Sequence, residues 1–103
     1  MTTGYTIQWV GWNNHFEKGT QHDKVWGWLT MKDGREFCFW GRRGKQLRFK
    51  EHPYTDSVRK VMRQKEGKGY TFVPPADYDD LVKDFLEEVE VWCMTAILSE
   101  KVL

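Results

Sequence analysis

The chain has 103 residues, 40% of them hydrophobic and 16% aromatic, which is room for one domain with one modest core and excludes multidomain machinery. The longest uncharged apolar run of the C-terminal half, Val91–Ser99, has nine residues, against the roughly 18 that a membrane span requires. Net charge is +1, but residues 1–70 carry 14 Lys and Arg against 7 Asp and Glu, whereas residues 71–103 carry 2 against 8. The chain is therefore a charge dipole along its sequence, and the basic half points to a polyanionic partner or to a solvated basic face. Met1-Thr2-Thr3-Gly4-Tyr5 has neither the basic nor the apolar region of a secretory signal, so a cytoplasmic protein without a membrane segment is expected. Cys38 and Cys93 have no Cys or His neighbour at ligand spacing. They are expected to be reduced core residues rather than a disulfide or a metal site.

In chain order, Tyr5–Trp12 is rich in aromatic and β-branched residues and ends at Asn13-Asn14, which predicts a strand and a turn. In Lys24–Met31, one alternating row is Val25, Gly27, Leu29 and Met31 and the other Trp26, Trp28 and Thr30. Both rows are largely apolar, so this strand is expected to be covered on both faces. Lys32-Asp33-Gly34 is a hairpin signal, and Arg35–Trp40 is expected to pair back antiparallel. Leu47–Lys50 is a candidate short strand beyond the Gly41–Gly44 turn. From Thr55 the period changes to about 3.6, with Thr55 or Asp56 available as N-cap, Val58, Val61, Met62 and Lys65 on one stripe, and Gly67 at the end. The opposite side of this helix is basic. Pro74-Pro75 breaks the chain, and Asp77–Leu98 is predicted as one acidic amphipathic helix with the stripe Leu81, Val82, Phe85, Val89, Trp92, Cys93 and Ile97.

The densest basic stretch is Arg42–Lys68, and it begins within Phe39-Trp40-Gly41-Arg42-Arg43-Gly44. An indole lies well against a sugar or an exposed base, and a guanidinium forms paired hydrogen bonds with phosphate oxygens. Trp40 beside Arg42 and Arg43 supplies both in one turn. The predicted hairpin leading into Trp40-Gly41-Arg42-Arg43-Gly44, followed by a basic helix and Gly69-Tyr70, resembles the WGR domain over about residues 5–72. That resemblance implies an α+β fold, a small twisted antiparallel sheet with the basic helix packed on it. The acidic helix of residues 74–103 is an extension outside the usual domain, within a single WGR-like unit over 1–103. In poly(ADP-ribose) polymerases such domains take part in binding DNA breaks. The resemblance therefore implies a DNA-binding role with Trp40 and Arg42 at the nucleic acid and neighbouring cations on its backbone.

The candidate nucleic-acid contacts are Trp40, Gly41, Arg42, Arg43, Lys45, Arg48, Lys50, Arg59, Lys60 and Arg63. They are expected to engage DNA, or another polyanion, on its sugar-phosphate backbone without base reading. The alternative is a protein-interaction or inhibitory accessory protein that uses the acidic helix and exposed aromatics. His15, His22 and His52 lack metal-ligand spacing, and Asp79, Asp80, Asp84, Glu87, Glu88 and Glu90 read as a solvated helix face. No activated nucleophile or phosphate-binding loop occurs, so neither catalysis, a metal nor a cofactor is expected. Val91, Met94 and Leu98 lie at an end of the acidic helix that is apolar almost all round, and a homodimer contact is expected there.

Overall fold

The computed structural model describes residues 4–53 and 57–102, the side chains of Glu17 and of residues 96–102 excepted. Strand β1 (Tyr5–Asn13) is followed by the small hairpin β2 (Phe16–Glu17) and β3 (Thr20–Gln21), then by β4 (Lys24–Met31), β5 (Glu36–Arg42) and β6 (Arg48–His52). Helix α1 (Val58–Gly67), the two-residue β7 (Thr71–Phe72), a 3-10 turn at Pro75–Asp77, α2 (Tyr78–Leu81) and α3 (Lys83–Val102) complete the chain. The main sheet has five antiparallel strands in the order β6-β5-β4-β1-β7. The fold is α+β, as expected, and no described helix is long and apolar enough to cross a membrane.

The apolar rows of β4 put it at the centre. On one face Val10, Val25, Leu29, Phe37 and Phe39 form a core with Val82, Phe85, Val89 and Cys93. There Trp92 stacks on Phe49 at 4.3 Å and meets Phe37 edge-on at 5.0 Å. On the other face Trp9, Trp26, Trp28 and Cys38 are buried with Val58, and Val61 and Met62 pack against them. Both helices thus lie on the sheet, one per face. Each large side chain buried this way contributes about 1.5–3 kcal/mol. Cys38 and Cys93 are free and buried, as expected.

Three details depart from the sequence reading. The strand after the turn is Arg48–His52, with Leu47 buried in the turn rather than inside the strand. Residue Ser57 precedes α1 without a side-chain capping bond; the cap candidates Thr55 and Asp56 lie outside the described residues. The acidic helix is not continuous, because Val82 (φ −138°, ψ 20°) breaks it after Leu81. Val82 is itself buried, so the break turns an apolar side chain into the core.

A cation stabilises that break. Leaving the helix strands the Leu81 carbonyl, and the Arg43 guanidinium donates to it at 2.8 Å. The same group donates to the Asp23 carboxylate at 2.7 Å and lies 4.6 Å from the centre of the Trp12 ring. Trp12 donates its indole N–H to Asp23 at 2.7 Å. Further along the turn, the Leu47 amide donates to the Glu88 carboxylate at 2.7 Å. The loop after β5 is therefore fastened to α2 and α3.

Both the centre of the sheet and this clamp can be tested by substitution. Gly27 faces Phe39 across the strands, and a Cβ there would stand 2.4 Å from the Phe39 ring and 2.8 Å from the Trp9 carbonyl oxygen. Gly27→Ala should therefore destabilise by about 1–3 kcal/mol, the usual cost of overpacking, read as a lower urea midpoint at constant slope. Burial raises the Asp23 carboxyl, but hydrogen bonds from Trp12 and Arg43 and the charges of Arg43 and Arg42 more than offset it, leaving the pKa below its ordinary 3.8. The stabilisation is complete above pH 3.8 and fades as pH falls through and below it. Asp23→Asn should flatten the loss of stability in that acid range. Arg43→Ala, which leaves the Asp23 carboxylate and Leu81 carbonyl without their guanidinium partner, should cost about 1–3 kcal/mol at neutral pH, and an unchanged urea midpoint would refute the clamp.

Candidate nucleic-acid interface

The period-two alternation of β5 decides where its signature residues go. Trp40 lies opposite Trp26 on β4 and Arg48 on β6, so these three share the α1 face. Arg42, opposite Lys24, belongs to the same face and is exposed; its guanidinium reaches the Gln21 carbonyl at 3.3 Å. Lys50, opposite Cys38, adds a further exposed cation. Gly41 alternates to the far side, where the chain at Gln46-Leu47 passes close: a Cβ would stand 3.3 Å from the Gln46 carbonyl oxygen. Its role is steric, making room for the turn. Gly44 completes that turn with φ +81°, a conformation that favours glycine.

Helix α1 extends the basic surface. Its stripe of Val58, Val61, Met62 and Lys65 faces the sheet, leaving Arg59, Lys60 and Arg63 exposed on the outside. Lys65 is only half-buried, with its ammonium 5.8 Å from the centre of the Tyr70 ring. Burial lowers its pKa, and the neighbouring charges of Lys68 and Lys24 lower it further, against an opposite influence of Cys38. Cations from four elements thus lie on the same side of the sheet as the partly exposed Trp40, whereas the carboxylates of α2 and α3 belong to the layer on the opposite face. The charge dipole along the sequence becomes one across the sheet.

Between α1 and the β5–β6 side of the sheet lies an open pocket of about 400 Å³. Trp26, Trp40, Cys38 and Val61 supply apolar lining, and Lys50 and Lys65 supply charge. The Cys38 thiol is pushed up to about 11, by burial first and then by Glu36, so it stays neutral at physiological pH. His52 also lines the pocket, and its Nε2 is buried without a hydrogen-bond partner.

Of the ten residues singled out in the sequence, Trp40, Arg42, Arg48 and Lys50 are brought together on the sheet, and Arg59, Lys60 and Arg63 on the helix that covers the same face. Lys45 is exposed in the turn, its amide donating to the Arg42 carbonyl at 3.0 Å. Arg43 is taken away from this group, because its guanidinium is engaged by Asp23, Leu81 and Trp12. Trp26, His52 and Lys65 join the site without having been singled out for it. Only Lys65 carried a local signal, a lysine on an otherwise apolar helical stripe. Val91 and Met94 are 64% and 50% exposed, and the Leu98 side chain lies outside the described residues. Among those residues, no group of three His, Cys, Asp or Glu side chains is placed to hold a metal ion. No protein-family model matches the chain, nor does any curated protein or solved structure, so the functional reading rests on the geometry of this face.

Proposed function

We propose that this chain is a non-catalytic, WGR-like nucleic-acid-binding module that holds the DNA sugar-phosphate backbone on its α1 face. Support comes chiefly from one observation: Arg42, Arg48, Lys50 and the cations of α1 lie on the same side of the sheet as Trp40. The carboxylates of α2 and α3 belong to the other layer. A phosphate backbone presents a row of negative charge, and such a face gains affinity by releasing the counterions condensed on it. The chain offers guanidinium and ammonium groups at several points, which suit phosphate oxygens, and the proposed binding is to the backbone and independent of sequence. A cytoplasmic location is part of the same proposal.

Retention on immobilised DNA against salt tests it. Arg42→Ala should lower affinity uniformly across sequences and flatten log K against log[salt] by about 0.9, the slope that neutralising one phosphate supplies. Trp40→Ala should cost about 1–3 kcal/mol of binding if the indole stacks on a base, with the fold checked by circular dichroism. A folded wild-type protein that is not retained at about 50 mM salt, where backbone contacts are strong, rejects the proposal.

A second reading, association of two copies through the acidic helix, is favoured by the exposure of Val91 and Met94. Sedimentation at about 100 μM should then show a dimer for any dissociation constant near or below about 10 μM. Val91→Glu should return a folded monomer. A strict monomer at that concentration removes this reading and leaves DNA binding unaffected.

A further inference from the structure

We infer that the pocket between α1 and the β5–β6 side of the sheet is a seat for one unstacked nucleotide, with its base against Trp40 and its phosphate between Lys50 and Lys65. The inference rests on the proposed DNA binding and goes beyond it, because it makes unpaired nucleotides the favoured substrate and gives the protein a contact to a base. About 400 Å³ falls within the roughly 300–1,000 Å³ of small-molecule sites. The lining divides as a nucleotide divides. The partly exposed Trp40 indole suits any base, with buried Trp26 behind it, and the ammonium groups of Lys50 and Lys65 suit a phosphate.

A polar atom at the end of the lining is the third element, Lys50 lying between His52 and the Trp40 level on β6. His52 Nε2 is buried and unpaired, a cost that a small turn of the ring toward an occupant would relieve. An imidazole nitrogen donates or accepts according to its tautomer, and base edges offer both complements. The Lys65 ammonium, disfavoured by burial and by Lys68 and Lys24, would be stabilised by an anion brought beside it. The thiol of Cys38 adds no charge to oppose one. Glu51, which also lines the pocket, alternates to the other face of β6, where its carboxylate lies 4.0 Å from Arg35. A wider cleft of about 680 Å³ at the N-terminal end of α1 contains the unpartnered Trp28 Nε1. That cleft shares His52 with the seat, and its wall sets Asp33, Glu36 and Glu51 against Arg35 and Arg59, so carboxylates outnumber cations there, whereas Lys50 and Lys65 outnumber Glu51 in the seat.

A base inside a duplex reaches such a seat only after unstacking and unpairing, at a cost of a few kcal/mol that a single strand avoids. The test compares a fluorescently labelled single strand of about 12 nucleotides with the same sequence as a blunt duplex, at about 50 mM salt where backbone contacts are strong. The single strand should bind at least about tenfold more tightly and quench tryptophan fluorescence, and free deoxyadenosine monophosphate at about 1 mM should displace it where inorganic phosphate does not. His52→Ala should reduce the single-strand preference to about twofold or less, with duplex affinity unchanged. Equal affinity for strand and duplex, or no displacement by the mononucleotide, overturns the seat and leaves backbone binding standing. Loss of binding to both forms in the folded wild type overturns the backbone reading itself. If His52→Ala does not fold, the mononucleotide competition on the wild type decides alone.

Discussion

A strand that is apolar on both sides must be buried on both sides, and β4 imposes that condition on the whole chain. Val25, Leu29 and Met31 point to one face and Trp26 and Trp28 to the other. Leaving either row in water would forfeit several side chains' worth of burial, each about 1.5–3 kcal/mol. The chain meets the condition with a helix on each face, α1 over the tryptophans and α3 over the aliphatic and phenylalanine side. Since α1 carries the excess cations and α3 the excess anions, covering the two faces also separates the charges. The electrostatic character of each surface is thus a by-product of packing.

The loop after β5 joins the two layers and holds the basic face in shape. Arg42 and Arg43 are adjacent in the chain and opposite in role, one exposed on the α1 face, the other tied to Asp23 and the Leu81 carbonyl. Committing a guanidinium to a broken helix fixes the loop that presents Trp40 and Arg42. The Leu47 amide donates to Glu88, which gives one acidic side chain of α3 a structural task that a solvated helix face would not have.

Most regular elements were legible in the sequence because their signals are local. The aromatic run of β1, the Asp33-Gly34 turn with Gly34 at φ +95°, and the change of period before α1 each lie within one segment. The stripe of the C-terminal helix was legible up to Cys93, with Val82, Phe85, Val89 and Cys93 buried. The small elements were not: β2, β3 and β7 have two residues each, too few to show any period. Nor was the break at Val82, where nothing in Leu81-Val82-Lys83 interrupts a helix; an arginine 38 positions away donates to the stranded carbonyl.

By itself the sequence determined which of the longer segments are strands and helices, which side of each is apolar, and that the two halves carry opposite charge, since the longer elements are set by local spacing and the charges by simple composition. Tertiary structure decided which cations share a surface. It withdrew Arg43 from the basic group, brought Lys65 to the edge of a pocket, and placed His52 in the lining of the pocket that Trp26 and Trp40 also line. The physical reason is that strand order and register set these neighbours. Each pairing joins residues from separate segments, and no local period records which strand will lie beside which.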